Sequence, residues 1–142
     1  MRKLLFIFGL LLSLTSSAQF NLSSGITIQV ACGITAATSS DVSNVQRMIQ
    51  AKNYASLKQS LYSFSQAEVV LSIIALQTLE SKGVITLTPE ESKRIKEVSS
   101  WTDRFFICHT CSQHLESTVN DLLTKKSSVA YQFLAAALFK SI

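Results

Sequence analysis

Three cysteines and two histidines carry most of the chemical potential of this 142-residue chain, and four of the five fall in one window. "FICHTCSQH", Phe106 to His114, holds Cys108 and Cys111 in a C-x-x-C, with His109 between them and His114 three residues on. Three chemistries use such a window. A redox pair needs a thiolate stabilised by a helix N-terminus or a nearby cation. A structural zinc site needs four Cys or His ligands converging tetrahedrally. A structural bridge needs only proximity and an oxidising compartment.

Each reading makes a different demand on the surrounding chain. Thr110 with Gln113 reads as a T-x-x-Q capping box, which would put Cys111 at the first position of a helix and Cys108 on the loop before it. The helix dipole would then favour the Cys111 thiolate. The βαβ setting of disulfide oxidoreductases is missing, however, and Pro89, the one proline, opens another helix. A metal site would use Cys108, Cys111 and His114, with Cys111 and His114 on one helix face. Its fourth ligand would have to be Cys32 or His109. No second C-x-x-C or H-x3-H supports zinc, so zinc is the weaker alternative and no other cofactor is expected. Bridging is the favoured expectation. The local Cys108–Cys111 pair comes first, and Cys32 to either of them is a longer closure that would pin the N-terminal segment. A local loop is short, so its entropic contribution falls below the ~3 kcal/mol of a 15-residue closure. The odd cysteine count leaves one thiol free, bridged between chains or otherwise bound.

No catalytic residue is expected. Paired carboxylates, a Gly-rich phosphate loop and a Ser/His/Asp arrangement are all missing, and Asp103, Glu116 and Asp121 are scattered. Trp101, Phe105 and Phe106 form an aromatic cluster before the motif, and its expected work is to anchor the chain to the core.

The chain opens MRKLLFIFGLLLSLTSSAQF. Arg2 and Lys3 precede an apolar run, Leu4 to Leu14, too short to span a bilayer. Ser16-Ser17-Ala18 supplies the small residues of a cleavage site. The expectation is a signal peptide over 1–18, cleaved to leave Gln19 first, and a periplasmic or secreted protein with no transmembrane segment in the mature chain. Lipid attachment would need a cysteine directly after the apolar run, and Cys32 lies too far on. Loss of Arg2 and Lys3 lowers the formal charge from +4 to +2. The remaining bases alternate with acids, as in "EESKRIKE", so nucleic acid is not an expected partner.

Few breakers and many helix formers predict an all-α fold of about five or six short helices, as helical hairpins in a bundle or HEAT-like stack. Residues 19–39 read as an extended or partly disordered arm. Within it "GITIQV" alternates like a strand but has no evident partner. Residues 40–142 read as one helical domain. Ser40 or Asp41 caps a first helix, and a second begins near Asn53. Ser65 and Glu68 form a capping box for a third, with Phe64 and Val69 as a hydrophobic staple and Gly83 as its stop. Thr88, Pro89 and Glu91 open a thin-faced fourth. A fifth starts at Thr110, and a sixth at Ser127 or Ser128. The third helix has a broad apolar stripe and should lie at the centre of the core. "LKQSLYSFSQAEVVLSIIAL" and "VNDLLTKKSSVAYQFLAAAL" echo one another at a shift of 62, as two copies of a helical hairpin. The functional expectation is a binding or interaction module for a protein or small ligand, with the C-x-x-C as a structural disulfide. A thiol-active or metal-binding protein using Cys108, Cys111 and His114 is the alternative.

Overall fold

A computed structural model describes residues 25–30, 38–108 and 114–140. Along the chain these form β1 (Gly25–Gln29), α1 (Ser40–Gln50), α2 (Tyr54–Gln59), a 3₁₀ turn (Ser60–Tyr62), α3 (Gln66–Ser81) and α4 (Pro89–Ser99). Then come β2 (Arg104–Cys108), β3 (His114–Thr118), α5 (Val119–Thr124) and α6 (Val129–Phe139). The expected signal peptide, Cys32, His109, Thr110, Cys111 and Gln113 lie outside the described residues.

Most of the described chain is helical, and α3 is its axis. Ala67, Val69 to Leu76 and Leu79 are all buried, so the helix is enclosed on every side rather than along one stripe. It packs against α1, α6 and β1. Ser65 caps it, its hydroxyl accepting from the Glu68 N–H at 3.3 Å. At the other end Gly83 takes φ +70, Gly83 N–H donates to Glu80 O and Val84 N–H to Leu79 O. This is the paired C-terminal hydrogen bonding for which a glycine in the left-handed region is suited. The end of α1 uses the same pair of bonds, Lys52 to Ile49 and Asn53 to Met48, but with Lys52 at φ 51. The fourth-helix box is complete: Thr88 N–H donates to Glu91 Oε2 at 2.8 Å and Glu91 N–H to Thr88 Oγ1 at 3.2 Å. As expected, α4 buries only Ile95 and Val98.

The expectation of an all-α fold is corrected by a three-stranded sheet of order β1-β2-β3. "GITIQ" has its partner: β1 pairs parallel with β2, Ile26 facing Phe105 and Ile28 facing Ile107. These four side chains are buried and join the core under α3, while Thr27 and Gln29 face out. Part of the expected arm is thus a strand whose partner lies almost 80 residues away in sequence, with α1 to α4 as the crossover. β3 runs antiparallel to β2, Phe106 facing Glu116 and Cys108 facing His114. On the outer face Arg104 pairs with Glu116 and lies 5.3 Å from the Phe106 ring centroid. The Phe106 ring also covers Gly25, where an added Cβ would stand 2.5 Å from Phe106 Cε2.

The expected fifth helix is corrected in the same place. Residues 114–118 are strand, and α5 starts at Val119 with Thr118 as its cap, the Asp121 N–H donating to Thr118 Oγ1 at 3.1 Å. A T-x-x-D lies at 118–121 and is the start signal in use. α6 starts from Ser128, whose hydroxyl accepts from the Tyr131 N–H. The two echoed segments are two short-helix, long-helix pairs, α2–α3 and α5–α6. Their long helices are capped by Ser65 and Ser128, one residue off the sequence alignment.

Candidate functional site

Cys108 closes β2. Its carbonyl accepts from the Val30 N–H at 3.0 Å, carrying the parallel ladder one residue past β1. Only 9% of the residue is exposed. It is the one cysteine among the described residues. Gln29 and His114 flank it on the two neighbouring strands, and facing residues of an antiparallel pair hold their Cβ atoms roughly 4.5–5.5 Å apart. His114 is exposed.

This placement corrects two expectations. His114 belongs to a strand, so it does not share a helix face with Cys111; its neighbour is Cys108, across the ladder. The helix expected to start at Thr110 begins instead at Val119, beyond β3, and Cys111 lies outside the described residues. Among the described residues no group of three or more His, Cys, Asp or Glu is placed to hold a metal ion. Of the residues proposed for metal, Cys108 and His114 are brought side by side, while Cys111 is outside the described residues. The aromatic cluster divides: Phe105 is buried, Trp101 packs against the core, and Phe106 lies on the outer sheet face.

A second candidate site lies away from the C-x-x-C, in a segment that no catalytic motif marks. Between α2 and the start of α3 lies an open hollow of about 430 Å³. Its rim carries Tyr62, 59% exposed, and Phe64, fully exposed at 107%. Its floor carries Ser60, Ser63 and Glu68, with Met48 and Ser56 beside them. Ser60 Oγ donates to Glu68 Oε1 at 3.2 Å and Ser63 Oγ to Glu68 Oε2 at 2.7 Å. The carboxylate expected to complete the α3 capping box is therefore turned into the hollow. Ser65 N–H bonds Ser63 Oγ instead, at 3.2 Å. The expected staple is also undone, because a fully exposed Phe64 does not pack on buried Val69. Ser65 Oγ donates to Asp41 Oδ1 at 2.7 Å, tying this turn to α1. The signal in the sequence is the mixture of serines and large side chains in "SLYSFS", of which the staple and the cap use only Phe64 and Ser65.

The remaining described cavities are less distinctive. One of about 520 Å³ lies between α6 and the end of β1, lined by Val30, Gln46, Phe133 and Ala137. Among the described residues no helix is long and apolar enough to cross a membrane. Comparison with protein-family models, with curated proteins and with solved structures finds no match for the chain.

Proposed function

We propose that this is an exported, periplasmic or secreted, small helical protein that binds rather than catalyses, with the C-x-x-C region serving as a structural disulfide. The observation that carries the binding reading is Phe64, fully exposed beside Tyr62 at the rim of an open hollow. An apolar ring held in water contributes nothing to folding, and clustered exposed apolar surface marks contact sites. The two hairpins α2–α3 and α5–α6 support a stack-like reading of the helical part, and the hollow lies on the first of them. The structural role of the bridge is supported by the shielding of Cys108 and by its backbone bonding on both sides. Thiol exchange needs an approachable sulfur.

The competing reading, a thiol-active or zinc-binding protein using Cys108, Cys111 and His114, draws on one observation, His114 facing Cys108 across the ladder. Thiol chemistry separates the two. Intact-mass measurement after alkylation of the native protein should show one modified cysteine, both without reductant and under mild reductant. Modification of all three under mild reductant, together with reduction of a disulfide substrate such as insulin, would move the assignment to the redox class. Stoichiometric zinc in untagged protein would move it to the metal class.

A further inference from the structure

We propose that the hollow at Tyr62 and Phe64 binds a neutral, hydroxyl-rich ring ligand, a saccharide, stacked on the Phe64 ring. The inference rests on the binding reading and names its ligand class.

The rim is held in place. Ser63 and Ser65, on either side of Phe64, are both anchored, to Glu68 and to Asp41 at 2.7 Å each. The Phe64 backbone is thus clamped from both directions, and its exposed ring is presented by a fixed turn. Tyr62 is held differently. Arg94 donates from Nε to Leu61 O at 3.1 Å and sets its guanidinium carbon 5.7 Å from the Tyr62 ring centroid. A platform fixed before binding loses little entropy when the ligand arrives.

Charge then narrows the occupant. A cation seeking the Tyr62 ring meets Arg94 already over it, and the Glu68 carboxylate that would draw a cation to the hollow already accepts hydrogen bonds from Ser60 and Ser63. An anion meets the Glu68 carboxylate in the floor and Asp41 beyond Ser65. An aliphatic or aromatic peptide side chain would cover Glu68, Ser60 and Ser63 without offering them hydrogen bonds, which costs their solvation. A neutral polyol ring has no such conflict. Its C–H face lies on an aromatic ring, and its hydroxyls reach polar groups at the edge. Each Glu68 oxygen accepts from one serine and retains a lone pair for a ligand hydroxyl. Gln59, exposed in the lining, brings an amide with both donor and acceptor. The volume of about 430 Å³ falls within the ~300–1,000 Å³ range of small-ligand sites.

The test is a backbone amide NMR titration of the mature chain with chitotetraose, cellotetraose, indole and tetramethylammonium, each up to about 10 mM, a concentration that detects millimolar binding. The expected result is shifts confined to residues 59–68 with at least one tetrasaccharide and none with tetramethylammonium. Phe64→Ser should weaken binding at least about tenfold, with an unchanged melting temperature because the ring is exposed. If indole shifts these amides and neither saccharide does, the ligand class is overturned while the binding surface stands. If no probe shifts them, both readings of the hollow fall. A saccharide response that survives Phe64→Ser places binding elsewhere and overturns the stacking.

Discussion

At the scale of single residues, the core carries one flaw that the sequence hid. Ser72 lies at the middle of α3, 0% exposed, and its hydroxyl has no hydrogen-bond partner among the described residues. A buried hydroxyl without a partner costs about 1–3 kcal/mol, and serine is also a poorer helix former than alanine. Ser72→Ala should therefore stabilise the protein by about 1 kcal/mol and raise its melting temperature by roughly 4 °C in calorimetry. A fall in melting temperature would mean that the hydroxyl is satisfied in solution. Lys52 is the complementary case at the surface. It occupies the left-handed region at the end of α1, as Gly83 does at the end of α3. Glycine at such a position announces a helix end, and lysine does not. The boundary at Gly83 could thus be read from its residue type, while the end of α1 had to come from the following Asn53.

At the scale of elements, most helix starts were legible, β1 was legible as a pattern without its partner, and β2 and β3 were not, and the reason is physical. A cap is a local device of four residues, and Asn53, Ser65, Thr88 and Ser128 all act as caps by side-chain hydrogen bonds. A strand takes its stability from a partner that may be far off, so "RFFIC" and "HLEST" are ambiguous until they meet. "HLEST" contains one large apolar residue and buries none of its five fully, leaving little alternation to detect. Local legibility also supports a pH prediction for α4. Burial of the Glu91 carboxyl raises its pKa. The Thr88 backbone N–H, the hydrogen bond from Lys58 and the Lys58 charge outweigh it, so the net shift is downward from 4.5. Lys58 Nζ lies 2.9 Å from Glu91 Oε2 and donates to Thr86 O, so the same carboxylate joins α2 to the loop before α4. Because the folded state depresses this pKa, the contribution is complete above the unfolded value and is lost as pH falls through the folded one. Glu91→Gln should cost about 1 kcal/mol at neutral pH in denaturant titrations, and the difference from the wild type should close as pH falls through the lowered pKa of the folded carboxyl. A difference independent of pH would assign the loss to packing.

At the scale of the whole molecule, the sheet decides what counts as a domain. A boundary at residue 40 is natural if helices alone hold the fold, because α1 begins at Ser40. The register argues otherwise. β1 lays Ile26 and Ile28 into the core and supplies the parallel partner of β2, whose other edge is already taken by β3. Without β1, Phe105 and Ile107 lose their neighbours on the inner face, the backbone edge of β2 opens to water, and the bond from Val30 to Cys108 disappears. Burying an isoleucine is worth about 2–5 kcal/mol by truncation to alanine, so two of them approach the whole of a typical 5–15 kcal/mol stability. A chain beginning at Ser40 should therefore be at best marginally folded, while one beginning at Gln19 unfolds cooperatively. Urea titration followed by far-UV circular dichroism compares them directly, and the shorter chain should show a lower midpoint and a smaller slope, because less surface is exposed on unfolding. The double substitution Ile26→Ala with Ile28→Ala in the longer chain separates packing from strand pairing: it keeps the backbone ladder and should lose less stability than the shorter chain does. Equal midpoints for the two chain lengths would make the sheet an appendage and restore the helices as a self-sufficient fold.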